Sequence, residues 1–253
     1  MAQRTMLTDM HAVLRGAPVL CELHEADRAA LVARASVRQL GARELLWRAG
    51  DAARHLAVVA VGRLKLVRPV GDQQLIVDVI GAGQLVGEVA LTLQSAYVFD
   101  AVCLRRACVV LVPAHQVAAA IERSAHASRA LAAELARDVL RLTRRLESLT
   151  ARSVGQRLAR VMVALMDRFG QPVEGSGILI PVRLRREELA SLAGTTLESA
   201  SRRLSRWRRA HIVLPQPAGF LVCDEGALRR LVDGEDEHVF HENSATVPST
   251  SSA

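Results

Sequence analysis

The chain has 253 residues, half of them hydrophobic and 23% charged, which exceeds a single domain of ~100–200 residues and describes an ordinary folded protein of two compact parts. Aromatics make up only 3%, and the longest apolar runs fall far short of the ~20 residues that cross a bilayer, so a membrane protein is excluded and no membrane partner is expected. Lys+Arg 33 against Asp+Glu 26 gives +7, and every one of those cations except Lys65 is arginine.

The first residues, Met1 to Asp9, lack the apolar core and small-residue cleavage site of a secretion signal, which predicts a cytoplasmic protein. Cys21, Cys103, Cys108 and Cys223 are too scattered for a zinc or disulfide framework. Residues 1–40 read as short helical pieces with an apolar patch at Ala29, Leu31 and Val32. From Glu44 the texture is that of strands. Leu56-Ala-Val-Val-Ala, Leu64-Lys-Leu-Val and Leu75-Ile-Val-Asp-Val-Ile are separated by Gly50-Asp51, Gly62, Gly71-Asp72 and Gly81-Ala-Gly83, and Cys108-Val-Val-Leu-Val before Pro113 reads as a last strand. Turn signals about every ten residues predict an antiparallel sandwich or jelly roll.

After Pro113 the pattern is helical to about Arg168. Ala132, Val139, Leu146 and Ser153 repeat every seven residues, and Leu135, Leu142 and Leu149 repeat three positions later, flanked by Arg137, Arg141, Arg144 and Arg145. These are a and d positions of a two-stranded coiled coil closed by a second copy of the chain, with Leu135, Val139, Leu142, Leu146 and Leu149 at the interface. A single helix lying on its own core is the alternative. A break near Thr150–Ser153 leads to an amphipathic helix over Val154–Phe169, a loop from Gly170 to Gly177 and a short strand from Ile178.

Charge is uneven along the chain. Ala151 to Cys223 holds twelve Arg against five acids, whereas Asp224 to Ala253 holds two Arg against seven. A basic stretch with apolar periodicity is the footprint of a phosphate-backbone binder, or else a solvated basic face. Within it, Arg186 to Trp207 predicts two short helices around a turn at Gly194, with Leu189 and Ala193 facing Ala200, Leu204 and Trp207. Thr195 and Glu198 have capping-box spacing for the second helix. Its exposed early face would carry Thr196, Leu197, Glu198, Ser201 and Arg202 to base edges in the major groove, with Arg203, Arg206, Arg208 and Arg209 better placed for phosphates. His211-Ile-Val-Leu, the turn Pro215 to Gly219 and Phe220-Leu-Val-Cys predict a β-hairpin, which makes the unit a winged helix; Asp224 caps a closing helix through Leu231.

The order of parts, with Gly50-Asp51, Gly62 and Gly83-Gln-Leu-Val-Gly87-Glu88 in the roll and Gly194-Thr-Thr-Leu-Glu198-Ser-Ala-Ser201-Arg202 in the reader, resembles the CRP/FNR family of bacterial transcription regulators over about residues 15–232. The resemblance implies an α+β chain: an N-terminal β-roll of the cyclic-nucleotide-binding type with its helices (1–113), a dimerisation helix (114–152) and a C-terminal winged helix-turn-helix domain (153–233), followed by a disordered tail (234–253). It also implies double-stranded DNA, a second copy of the chain and RNA polymerase as partners. Glu198, Ser201 and Arg202 look like the FNR branch, which implies TTGA-type half-sites in an inverted repeat.

The effector is left unknown by the sequence. Cyclic-nucleotide readers of this family hold the ligand through a Gly-Glu pair, an Arg-Ser or Arg-Thr pair at the phosphate, and Thr-Ser on the long helix. Gly87-Glu88 is present, but Val98-Phe99 stands in the phosphate position with Asp100 after it, and Leu142-Thr143 replaces Thr-Ser. Burying an anion there without a paired cation is costly, which argues against cAMP in the usual mode. Glu88 then reads as an internal strut of the roll. An iron–sulfur cluster of the FNR pattern needs cysteines grouped near the N-terminus, where only Cys21 stands. Cys103 and Cys108 read as core packing. Haem or another small effector stays open, with His24, His55, His115 and His126 as candidate ligands outside any haem motif. No metal site and no enzyme are expected: a catalytic cupin-like roll with an accessory DNA-binding tail needs a His-x-His cluster, and residues 41–112 contain only His55. A ligand-responsive interaction module acting on RNA or protein is the remaining alternative, and it lacks stacking aromatics.

Overall fold

The computed structural model describes residues 10–71, 73–91, 96–151 and 153–234, and divides into two compact units, residues 1–145 and 146–253. Of the tail expected to be disordered over 234–253, Gly234 is ordered, ending the last helix at φ 100 with its amide donating to the Arg230 carbonyl, and residues 235–253 lie outside the described residues.

In the first unit, residues 10–16 are helical, a 3-10 turn covers Leu20–Glu22, and α1 spans Glu25–Val32. Leu31 and Val32 are buried as expected, but Ala29 is exposed and its place on the inner face goes to Arg28. That guanidinium donates to the carbonyls of Cys21 at 2.9 Å and Leu23 at 2.6 Å and pairs with Glu25, so a buried charge is satisfied by the backbone of the turn before it.

Six strands follow: β1 Ser36–Leu40, β2 Leu45–Trp47, β3 His55–Val70, β4 Gln73–Gly81, β5 Leu85–Val86 and β6 Asp100–Pro113. All pairs are antiparallel, in the order β1-β6-β3-β4, with β2 added on β6 and β5 on β3. The apolar run at Leu56 is continuous because both faces of β3 are covered. Leu56 and Val58 join a cluster with Leu14, Leu20, Val117 and Ile121, while Ala57 and Val59 point to the roll interior with Leu40, Leu64, Cys103 and Val109. This alternation is the strand period of two.

Gly62 does not divide two strands as its punctuation suggested. It lies inside β3 at φ 89, next to register shifts on both sides, and a Cβ there would come within 2.0 Å of the Arg106 carbonyl. The glycine makes a bulge that bends one long strand against β6. Trp47 stacks on Tyr97 with ring centroids 4.0 Å apart, and the Tyr97 hydroxyl donates to the His55 carbonyl at 2.8 Å, closing the rim.

The helical stretch after Pro113 is two helices, α2 Ala114–Glu122 and α3 Ala125–Ala151. The expected single helix over 114–152 is interrupted at Arg123-Ser124, where the Ser124 hydroxyl accepts from the Ala127 amide and donates to the Glu22 carbonyl, both at 3.2 Å. Serine competes for helix-end amides, which starts α3 afresh.

In the second unit the end of α3 is followed by α4, Val154–Phe169, whose N-cap Ser153 and Gln156 form a reciprocal capping box. The loop expected at 170–177 holds a strand: β7 Gln171–Val173 pairs with β8 Gly177–Ile180. Then come α5 Arg186–Leu192, α6 Leu197–Arg209, β9 Val213–Gln216, β10 Gly219–Val222 and α7 Glu225–Asp233, with the sheet ordered β7-β8-β10-β9. Leu158, Met162, Ile180, Leu189, Ala200, Trp207 and Leu228 are fully enclosed in this unit.

Candidate nucleic-acid interface and sensor cleft

Gly194 turns the chain between α5 and α6 at φ 58, a conformation that favours glycine. The Arg157 guanidinium of α4 donates to its carbonyl at 3.2 Å, and the Thr195 amide donates to Ala190 at 3.0 Å, so the corner is held from two sides. The cap of α6 differs from the expected Thr195/Glu198 box. Thr196 is the N-cap, its hydroxyl accepting from the Ser199 amide at 3.2 Å. With the helix starting one residue later, Glu198 falls in the first turn and pairs with Arg202 at 3.4 Å, one turn along.

Helix α6 packs on α5, α4 and β9 and buries Ala200, Leu204 and Trp207. Its outer side leaves Thr196, Leu197, Glu198, Arg202 and Arg206 exposed, with Ser201 and Arg203 half-buried. Arg208 and Arg209 are exposed at its end. The residues expected at base edges thus share the front of the helix, and the cations assigned to phosphates lie behind them. The β9–β10 hairpin forms the wing, backed by the expected strand at Ile178, β8, and by β7, which sequence reasoning missed. Asp224 caps α7, accepting from the Ala227 amide at 2.8 Å.

On α3 the seam residues are open to solvent: Leu135, Val139, Leu142 and Leu146 are all exposed, Val139 at 62% and Leu146 at 64%. The side chain of Leu149 lies outside the description. Ser153, expected at an a position, caps α4 instead, so the seam stops with α3. Glu134 pairs with Arg137 and Asp138 with Arg141 beside it.

A cleft in the first unit is lined by Pro18, Val19, Leu66, Ile80, Gln84, Leu85 and Val86 and by five charged side chains: Asp78 of β4, Glu88, and Glu134, Asp138 and Arg141 of α3. Its volume is about 80 Å³, against the ~300 Å³ at which small-molecule pockets begin. The one lining cation, Arg141, is engaged with Asp138 and stands 3.9 Å from Asp78. Glu88 opens a 3-10 turn, Glu88–Leu91, and is half-buried. Burial pushes its carboxyl up to about 6, its own backbone amide opposes this, the Asp138 and Glu134 carboxylates add to the rise, and Arg141 offsets part of it.

Of the six residues expected around an effector, Glu88 alone lines this cleft. Gly87, at φ 95, packs against Trp47 and the His55 carbonyl. Val98 and Phe99 are half-buried elsewhere, and the neighbouring Asp100 carboxylate accepts from the Ala49 amide at 2.8 Å. Leu142 and Thr143 are exposed, with the Thr143 hydroxyl donating to the Val139 carbonyl at 2.9 Å. Cys103 is buried in the roll, its thiol pushed up by burial and directed at the Leu40 carbonyl, while Cys108 is half-buried. His24, His115 and His126 are exposed and His55 is half-buried. Among the described residues no group of three or more His, Cys, Asp or Glu is placed to hold a metal ion, and no helix is long and apolar enough to cross a membrane.

Residues 37–124 match the family model of the cyclic nucleotide-binding domain, and residues 156–231 match that of the Crp-like helix-turn-helix domain. The cyclic AMP receptor protein of Thermus thermophilus is 28% identical over 186 residues, 73% of this chain and 82% of that protein. Among solved structures, FixK2 from Bradyrhizobium japonicum superposes with a TM-score of 0.71 at 18% identity, covering 80% of this chain and 99% of that one. TTHB099, a CRP-family transcriptional regulator from Thermus thermophilus, gives 0.65 at 23% identity over 78% of this chain and 97% of that one. At such identities the superpositions speak for the fold. With a nucleotide-binding-type roll ahead of a Crp-like reader on one polypeptide, the chain belongs to the CRP/FNR family of transcription regulators.

Proposed function

We propose that two copies of this chain, paired along α3, read an inverted repeat of TTGA-type half-sites in duplex DNA and regulate transcription from it in the cytoplasm, in contact with RNA polymerase. The observation that carries this reading is the front of α6. Its buried back fixes the helix on the unit, while Thr196, Leu197, Glu198 and Arg202 stand exposed on its first turns. Arg202 is the candidate for bidentate reading of guanine and Glu198 for accepting from a cytosine amino group. Ser201 and Leu197 complete the base-facing set, Leu197 meeting a thymine methyl. Arg203 and Arg206, with Arg208 and Arg209, hold phosphates and position the helix without reading sequence.

Pairing is supported by the exposed row of Leu135, Val139, Leu142 and Leu146 between charged flanks, the arrangement a two-stranded seam requires. Two-fold pairing would set the recognition helices about one turn of DNA apart, ~34 Å.

The named activity of the Thermus relative is cyclic AMP reception. In this chain the cleft bears four carboxylates and one already engaged guanidinium, which supports reading the roll as a sensor that does not hold cAMP in the usual mode. The family acts through DNA binding, and no catalytic role is assigned here.

Footprinting on a TTGAT-N4-ATCAA duplex tests the reading against scrambled duplex and structured RNA. Protection of both half-sites, absent on the scrambled duplex, is expected. Equal protection of all three probes removes the sequence-specific regulator, and preference for RNA favours the interaction module.

A further inference from the structure

The cleft of the first unit brings like charges together from three elements. Asp78 comes from β4, Glu88 from the 3-10 turn after β5, and Glu134 and Asp138 from successive turns of α3. Arg141 bridges the two sides, engaging Asp138 on its own helix and standing 3.9 Å from Asp78 on the roll. Four carboxylates and the Arg141 guanidinium line a space of about 80 Å³, and Glu134 is also paired with Arg137, which does not line it. No histidine lines the cleft, and its carboxylates are not placed to form a metal shell among the described residues. An organic anion meets the wrong field there, and the space is small beside the ~300 Å³ at which small-molecule pockets begin.

We propose that the effector read by this cleft is the proton: protonation of Glu88 lets α3 seat on the roll, and its ionisation loosens that seat, which changes the output at DNA. The inference rests on the DNA-binding reading for its output alone. The proton comes from solvent and resides on a Glu88 carboxyl oxygen; no bond between heavy atoms forms or breaks. Among the described residues, the charged groups facing Glu88 are Asp138, Glu134 and Arg141 on α3 and Asp78 on β4, with Arg137 paired to Glu134.

The sign follows from linkage. Because the Glu88 carboxyl lies at about 6 rather than its ordinary 4.5, the seated arrangement holds more protons than a loosened one between those values. Its stability therefore falls as pH rises through that window, with the whole penalty present above it. The displacement caps the change in seating equilibrium at about 30-fold, and screening by solvent at a half-buried carboxyl reduces it to several-fold.

Hydrogen exchange of the full-length protein at pH 5.0 and 7.5, corrected for intrinsic amide rates, reads the seat directly; affinity for the palindromic duplex at the same two pH values reads the output. Several-fold greater protection of residues 130–142 at pH 5.0 is expected, with palindrome affinity changing in step. Glu88→Gln should give the protected pattern and one constant affinity at both pH values, and Glu134→Gln should move the midpoint downward. Identical pH responses in wild type and Glu88→Gln overturn the proposal, as does, in a protein that prefers the palindrome, an affinity for it that stays unchanged when protection changes. Protection that responds as expected in a protein without preference for the palindrome at either pH supports the latch and strikes the DNA-binding reading instead.

Discussion

Glu198 and Arg202 lie one helical turn apart on the open side of α6 and pair at 3.4 Å, with both side chains largely in solvent. Such a surface pair is worth about 0–1 kcal/mol, so it can orient the guanidinium beforehand and still release it to a base at little cost. Arg202→Ala should therefore relax preference at one base pair and cost ~1–3 kcal/mol in operator affinity. Arg208→Ala, at the far end of the same helix, should weaken specific and random duplex alike and lower the salt slope by about one; titrations against salt with both duplexes separate the two. Thr196→Ala removes the acceptor for the Ser199 amide and should lower stability in thermal or denaturant unfolding by about 1 kcal/mol, whereas Thr195→Ala should cost less. That contrast was hidden in the sequence by the Thr-Thr doublet: both residues can cap, and only the backbone decides which amide comes within reach. The same limit applied to Ser124, a polar residue inside apparently continuous helical periodicity that the structure uses as a cap, whereas the break at Thr150–Ser153 was legible and only the capping role of Ser153 was not.

At the scale of elements, periodicity was legible where one face is buried and misleading where two are. The helix over Val154–Phe169 came out of spacing because it has a single apolar side, and the wing was legible from its turn residues, although β9 runs on through Pro215 and Gln216, which had read as turn. Strand β3 hides its register because Ala57 and Val59 pack inside the roll while Leu56 and Val58 pack under the helices, so Gly62 looked like a stop when it is a bulge. Strand β7 contains no buried residue, and nothing in Gln171-Pro-Val sets it apart from a loop. The heptad on α3 was readable because its apolar row runs between charged residues, and the exposure of Leu135, Val139 and Leu142 is what a seam with a second copy requires. Val139→Glu places a carboxylate at the centre of such a seam without touching the roll interior. Sedimentation velocity should then show monomer where the wild type is a dimer, with the helical circular dichroism signal largely retained. A wild-type monomer at the same concentration contradicts the seam assignment.

Across the whole molecule the charges are sorted by task. The twelve arginines of residues 151–223 include the open side of α6, and a compact unit with a fully enclosed Trp207 carries them. The first unit instead gathers carboxylates in the cleft between β4, the 3-10 turn and α3, and this is where motif reading ran out. Gly87-Glu88 pointed to a ligand site, yet the acids that complete the cleft lie on β4, ten residues before, and on α3, more than forty residues after, and only the fold brings them to Glu88. Sequence spacing carries no information on such a meeting. The central claim is that paired copies of α6 enter successive major grooves of one duplex, and the most direct measurement is the mass and affinity of the complex by sedimentation equilibrium at moderate salt. On the intact inverted repeat the account predicts two chains per duplex, bound far more tightly than to a duplex in which one half-site is scrambled. One chain per duplex, with the same affinity for intact, half-scrambled and random sequence, would contradict it.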